Sequence, residues 1–193
     1  MKKSVFLKSA LALALVSPLL ASAESQLTVG AGSAAARLDF RVVIPRVLFL
    51  AVGTGSAALA NNTTIDQVSF DYTTNPADVG TGAVAGAITG NVVPVRALGN
   101  NGVIALASTN TGALTNATGD TIPWTQITAT SSDATNFPSP APTGASVNLG
   151  LSSGTKVTSR SANWTFAYGN TTVAAPGTYG TTNGRVTYTA TMP

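Results

Sequence analysis

Apolar and polar residues alternate one for one over many short stretches of this chain. In Arg37–Ile44, Leu38, Phe40, Val42 and Ile44 fall on one side, and Arg37, Asp39 and Arg41 on the other. A period of two places such a set on one face of a pleated strand. The first set is therefore expected in a core, with Phe40 buried and Arg41 in solvent. Pro45 interrupts, and Val47-Leu48-Phe49-Leu50-Ala51-Val52 reads as a strand buried on both faces. The same alternation recurs in Val68/Phe70/Tyr72, in Val147/Leu149/Leu151, in Trp164/Phe166/Tyr168 and in Val186/Tyr188/Ala190/Met192. Trp164 is expected to be buried. Weaker strand signals lie at Leu27–Gly30, Val92–Leu98, Gly102–Ser108 and Pro123–Thr130.

Turn-forming residues separate these runs: Gly53-Thr54-Gly55, Asn75-Pro76, Asn100-Asn101-Gly102, Gly119-Asp120 and Asn183-Gly184. Gly80–Gly90 alternates small residues and reads as a flexible loop or a weak strand. Asn136–Gly144 carries Pro138, Pro140 and Pro142, which excludes a central strand. It is expected to be a long surface connection crossing between sheets, as a Greek key requires. Helical periodicity is almost absent, while Thr and Val, which suit a pleated half-buried surface, are abundant. Many short strands broken by turns predict an all-β fold: a single antiparallel β-sandwich, Ig-like or jelly-roll, with Greek-key connections; a small barrel is the alternative. Uneven strand lengths and the lack of aromatic girdles argue against a transmembrane barrel.

The amino terminus follows a different rule. Lys2, Lys3 and Lys8 form a basic region, Ser9–Val16 an apolar one, and Ala21-Ser22-Ala23 a small-x-small cleavage site. That order is the mark of a secretory signal peptide. Residues 1–23 are expected to be removed, leaving a secreted or cell-surface protein that has passed through the periplasm and begins at Glu24. Later segments hold no long apolar run, so no membrane span is expected in the mature chain. Charge changes with cleavage. The ten basic and seven acidic residues give the precursor a net +3, but three of the basic ones sit in the signal, so the mature chain is balanced. The basic character therefore offers no support for nucleic acid as a partner. Disulfides are permitted outside the cytosol, yet the chain has no Cys. Packing and sheet hydrogen bonds must hold it together.

Candidate chemistry is sparse. Without His or Cys, Ser-His-Asp and Cys-His catalysis, thiol redox chemistry and ordinary zinc sites are excluded. Ser153-Gly154-Thr155-Lys156 matches S-x-x-K, but it reads as a turn and lacks the companion motifs that the catalytic version needs. Asp66, Asp71, Asp78 and Asp120 lie in or beside turns, where Asp ordinarily caps the backbone, and no calcium loop is present. No catalytic residue, metal ligand or cofactor emerges. Of the two tryptophans, Trp164 belongs to a core face; Trp124, after Pro123 near a turn, is the candidate for stacking on a carbohydrate.

Two further features carry a resemblance. Pro176-Gly177-Thr178-Tyr179-Gly180 precedes a last alternating strand, Gly184-Arg185-Val186-Thr187-Tyr188-Thr189-Ala190, in a Thr/Ala/Gly/Asn-rich chain with an export signal. This layout resembles bacterial exported fimbrial or spore-coat-like subunits. The resemblance implies a non-enzymatic structural role at the cell surface, with self-association or other surface proteins as partners. Such subunits polymerise when an N-terminal extension completes a neighbour's sheet, through main-chain bonds and alternate side chains. Here Glu24–Ala36 would be that extension, with Leu27, Val29 and Ala31 as the inserted side chains; alternatively it is the first strand of a closed sandwich. A secreted carbohydrate-binding module is the alternative function.

Overall fold

A computed structural model describes residues 24–55 and 58–193; the expected signal peptide lies outside the described residues. The chain divides into two units at Ile44 and Pro45.

Residues 45–193 form antiparallel sheets. The larger has the order β1-β4-β10-β8, from Leu48–Val52 (β1), Val92–Gly99 (β4), Thr158–Tyr168 (β10) and Ile127–Ser131 (β8). The second has the order β11-β5-β9, from Val186–Thr191 (β11), Ala105–Asn110 (β5) and Ser146–Asn148 (β9). Two short hairpins, Ser69–Asp71 (β2) with Ala87–Thr89 (β3) and Leu114–Thr115 (β6) with Thr121–Ile122 (β7), stand apart from them. The fold is all-β, as the alternation predicts.

Inward side chains of both main sheets build one core. Val93, Val95 and Ala97 of β4 and Trp164 and Phe166 of β10 meet Leu106 of β5, Ile104 and Leu149. Trp164 is completely buried, and its ring lies 5.0 Å from that of Tyr188 on the other sheet. A core shared in this way is compatible with a sandwich. Register explains the sorting. Trp164 is paired with Val93 and Ala162 with Val95, so side chains of like parity stack on one face.

Four expectations need correction. Arg37–Ile44 is not a strand: Leu38, Phe40, Val42 and Ile44 are 75, 87, 82 and 76% exposed. Alternation created an apolar face, but residues 37–44 form no strand and that face stays open to solvent. The strand at Leu48–Val52 forms, yet it is half-open rather than buried on both faces, because only the face carrying Leu50 and Val52 packs on the core while Phe49 and Ala51 lie on the outer one. The proline-rich stretch Asn136–Gly144 does connect β8 to β9, one sheet to the other, but it lies only partly on the surface, with Ala141, Thr143 and Gly144 exposed. Phe137, Pro140 and Pro142 are fully buried, and Phe137 stands edge-on to Trp164 at 5.7 Å. Three prolines remove three N–H donors, so this segment enters the core with few backbone groups to satisfy. Its remaining groups find partners: the Phe137 N–H donates to the Asp133 carbonyl, and the Ser131 hydroxyl to the Phe137 carbonyl.

Residues 24–44 hold no strand. Leu27–Gly30, expected as a weak strand, runs into a bend at Gly30–Gly32 where Gly30 takes φ 99°, a conformation that favours glycine. The loop around it is closed locally. The Arg37 guanidinium donates to both carboxylate oxygens of Glu24, at 2.9 and 2.8 Å, and the Ala35 N–H to the Gln26 side chain. That pairing holds the Glu24 carboxyl below its ordinary range and raises Arg37. Both groups are open to water, where such a pair adds little stability.

Candidate functional site

Strand edges are the most chemically demanding feature of this fold. In an antiparallel edge strand every second residue turns its N–H and C=O outward without a sheet partner. Among the described residues, β11 is hydrogen-bonded to β5 alone and β1 to β4 alone. The two edges lie close to each other. Val186-Thr187-Tyr188-Thr189-Ala190-Thr191 contains no charge, no proline and no glycine.

Side chains along these edges are unfinished as well. Leu50 and Val52 of β1, Tyr188 and Ala190 on the core side of β11, and Met192 just past its end pack against the core while staying partly exposed. Thr187, Thr189 and Thr191 occupy the opposite face of β11 and are exposed. Beneath β11 lie two polar atoms without partners, the Tyr188 hydroxyl and the Trp164 indole nitrogen. Burial alone pushes the Tyr188 phenol up to about 12. An unsatisfied buried donor costs on the order of 1–3 kcal/mol.

The chain enters this region through a fixed joint. Asn100, just past β4, accepts from the Val47 N–H at 2.9 Å and donates to the Pro45 carbonyl at 2.8 Å. Arg46 donates to the carbonyls of Met192, at 2.9 Å, and Pro193, beyond the end of β11. Pro45–Val47 is thus pinned to both sheets. An Asn side chain can do this because its amide carries donor and acceptor together, and no spacing pattern in the sequence announces it.

The residues singled out from sequence fare differently. Leu27 and Val29 are 87 and 91% exposed, and Ala31 is exposed beside them. Trp124 opens a short 3-10 turn, Trp124–Gln126, is partly buried, and donates its indole N–H to the Gly112 carbonyl at 2.6 Å. Its polar edge is therefore engaged within the chain. A separate shallow depression on the outer face of the larger sheet is lined by Phe49, Pro94, Arg96, Ser161 and Asn163. Trp124 does not line it.

The aspartates serve local turns. Asp66 accepts from the Thr54 N–H and hydroxyl, at 2.5 and 3.0 Å. Asp71 accepts from the Thr73 N–H, which lowers its pKa, and Asp120 is lowered by the Thr118 hydroxyl and the Asn116 amide. Among the described residues no three acidic side chains gather into a metal-sized group. Ser153–Lys156 forms the turn between Ser153 and Val157, which bridge to each other, and no helix begins there. No helix among the described residues is long and apolar enough to cross a membrane. No protein family, curated protein or solved structure matches the chain.

Proposed function

We propose that this chain is an exported, non-enzymatic structural subunit of the cell exterior, and that it associates by strand addition. One juxtaposition carries the reading. Strand β11 has an uncharged free edge and a half-open core face, while residues 24–44 display apolar side chains outside any sheet. Exposed apolar residues in such density mark an interaction surface. An added strand satisfies the edge through main-chain bonds, and its alternate side chains fill the gaps above the core. Export fits the same role, because a subunit with a free edge and an apolar strand is safest when both meet outside the cell.

Sedimentation of the full-length exported protein over a concentration series, with electron microscopy of the same samples, tests the reading. Assemblies growing with concentration are expected. A chain that stays monomeric throughout and shows no filaments or particles overturns it.

A further inference from the structure

We infer that the strand this chain donates is Arg37–Ile44, and that its acceptor is the free edge of β11 in a second copy of the chain. This rests on the strand-addition reading and makes it specific: the expected inserted residues Leu27, Val29 and Ala31 give way to Leu38, Phe40, Val42 and Ile44.

Pattern and size come first. Arg37–Ile44 offers four large apolar side chains at every second position. On the core side, Val186, Tyr188 and Ala190 of β11, and Met192 just past its end, recur at the same spacing and are all partly exposed. Four positions face four. Side chains of adjacent strands share a face in register, so Leu38, Phe40, Val42 and Ile44 would extend the core face of β11. Arg37, Asp39 and Arg41 would then lie beside Thr187, Thr189 and Thr191, which already face water. A single apolar residue, Val43, joins them on that outer side.

Conformation separates the two candidate segments. Leu27–Ala31 is bent at Gly30–Gly32 and lies inside the loop that the Glu24–Arg37 pair closes. Laying it along an edge means opening that loop, and it brings two large side chains and one methyl. Residues 38–44 carry no turn or bend, and their apolar side chains are open to solvent.

The joint argues for a second copy. Folding the segment back beside its own β1 requires a tight hairpin at Pro45-Arg46-Val47. Two-residue hairpins need positive φ, supplied by Gly, Asn or Asp. Pro45 instead fixes φ near −65° and has no N–H, and Asn100 already holds the Pro45 carbonyl and the Val47 N–H. A pinned, proline-led joint therefore disfavours a tight return of the segment beside β1 of the same chain.

The chain contains no cysteine, so engineered thiols report cleanly. Arg41→Cys and Thr189→Cys are both on exposed positions. Full-length chains carrying one substitution each, one of them size-tagged, are mixed and oxidised, with Thr187→Cys and Thr191→Cys covering neighbouring registers. The expected product is a disulfide between the two different chains. Phe40→Asp should abolish assembly with an unchanged thermal midpoint, and Val29→Asp should leave assembly intact. Thr28→Cys cross-linking to β11 in place of Arg41→Cys overturns this inference while strand addition survives. A double variant, Arg41→Cys with Thr189→Cys, that closes its disulfide inside a monomer also overturns it. Absence of any cross-link in a monomeric chain overturns both readings.

Discussion

Leu38–Ile44 and Trp164–Tyr168 carry the same period-two pattern and meet opposite fates. The first displays its apolar face to water; the second buries Trp164 completely and Phe166 to 8% exposure. Hydrophobicity does not separate them. Neighbours do: β10 is hydrogen-bonded on both sides, to β4 and to β8, and lies across from β11. The N-terminal segment forms no strand, and its side chains stay open to solvent. Alternation therefore states which side chains share a face, and leaves open whether that face is completed by the same chain.

Several measurements would break or sharpen this contrast. Trp164→Ala should cost about 3–5 kcal/mol in a denaturant titration, as for large buried aromatics generally. The next effect concerns Tyr188, whose folded pKa of about 12 lies above its ordinary 10. The folded state then holds the phenol proton more tightly than the unfolded state. The associated stability is complete below about pH 10 and is lost as pH rises toward 12, at most about 2–3 kcal/mol. Unfolding free energies measured between pH 9 and 12 should hold level to about pH 10 and then fall by ~1.4 kcal/mol for each pH unit up to about 12, and Tyr188→Phe should remove most of the fall. At neutral pH the same substitution deletes a buried hydroxyl without a partner, so a gain of about 1 kcal/mol is expected by chemical denaturation. The smallest effect belongs to the other region. Phe40→Ala, measured on dilute protein, should change stability by less than about 0.5 kcal/mol, as for surface positions generally. A loss comparable to that of Trp164→Ala would mean that the segment completes its own fold.

How much was legible in the sequence follows from the same logic. Trp164/Phe166 and Val186–Met192 were readable because their partners lie within the chain, so pattern and burial agree. Phe40 was misread because burial was inferred from parity alone, and parity is blind to pairing. The stretch around Phe137 was misread for the reverse reason. Prolines exclude a sheet ladder, which suggested the surface, but they also lower the cost of burying an irregular backbone, and Phe137 supplied the apolar mass. The open edge of β11 could not be read at all, since strand order is a property of the folded sheet. Asn100 left no mark either, because one amide clamping two backbone groups has no periodic signature.

The pairing of β11 with β5 also sets a timetable. Ala105 finds its sheet partner at Thr191, and Asn110 at Val186. Strand β5 is the middle of its sheet, so half of its ladder waits for a segment synthesised far downstream. Folds dominated by such distant pairings form slowly, in milliseconds to seconds, because loop closure must precede any reward from contact. Until β11 docks, β5 is itself an unpaired edge. The acceptor edge and the folded subunit therefore come into being in one late step, and an incomplete chain has no edge on β11 to offer.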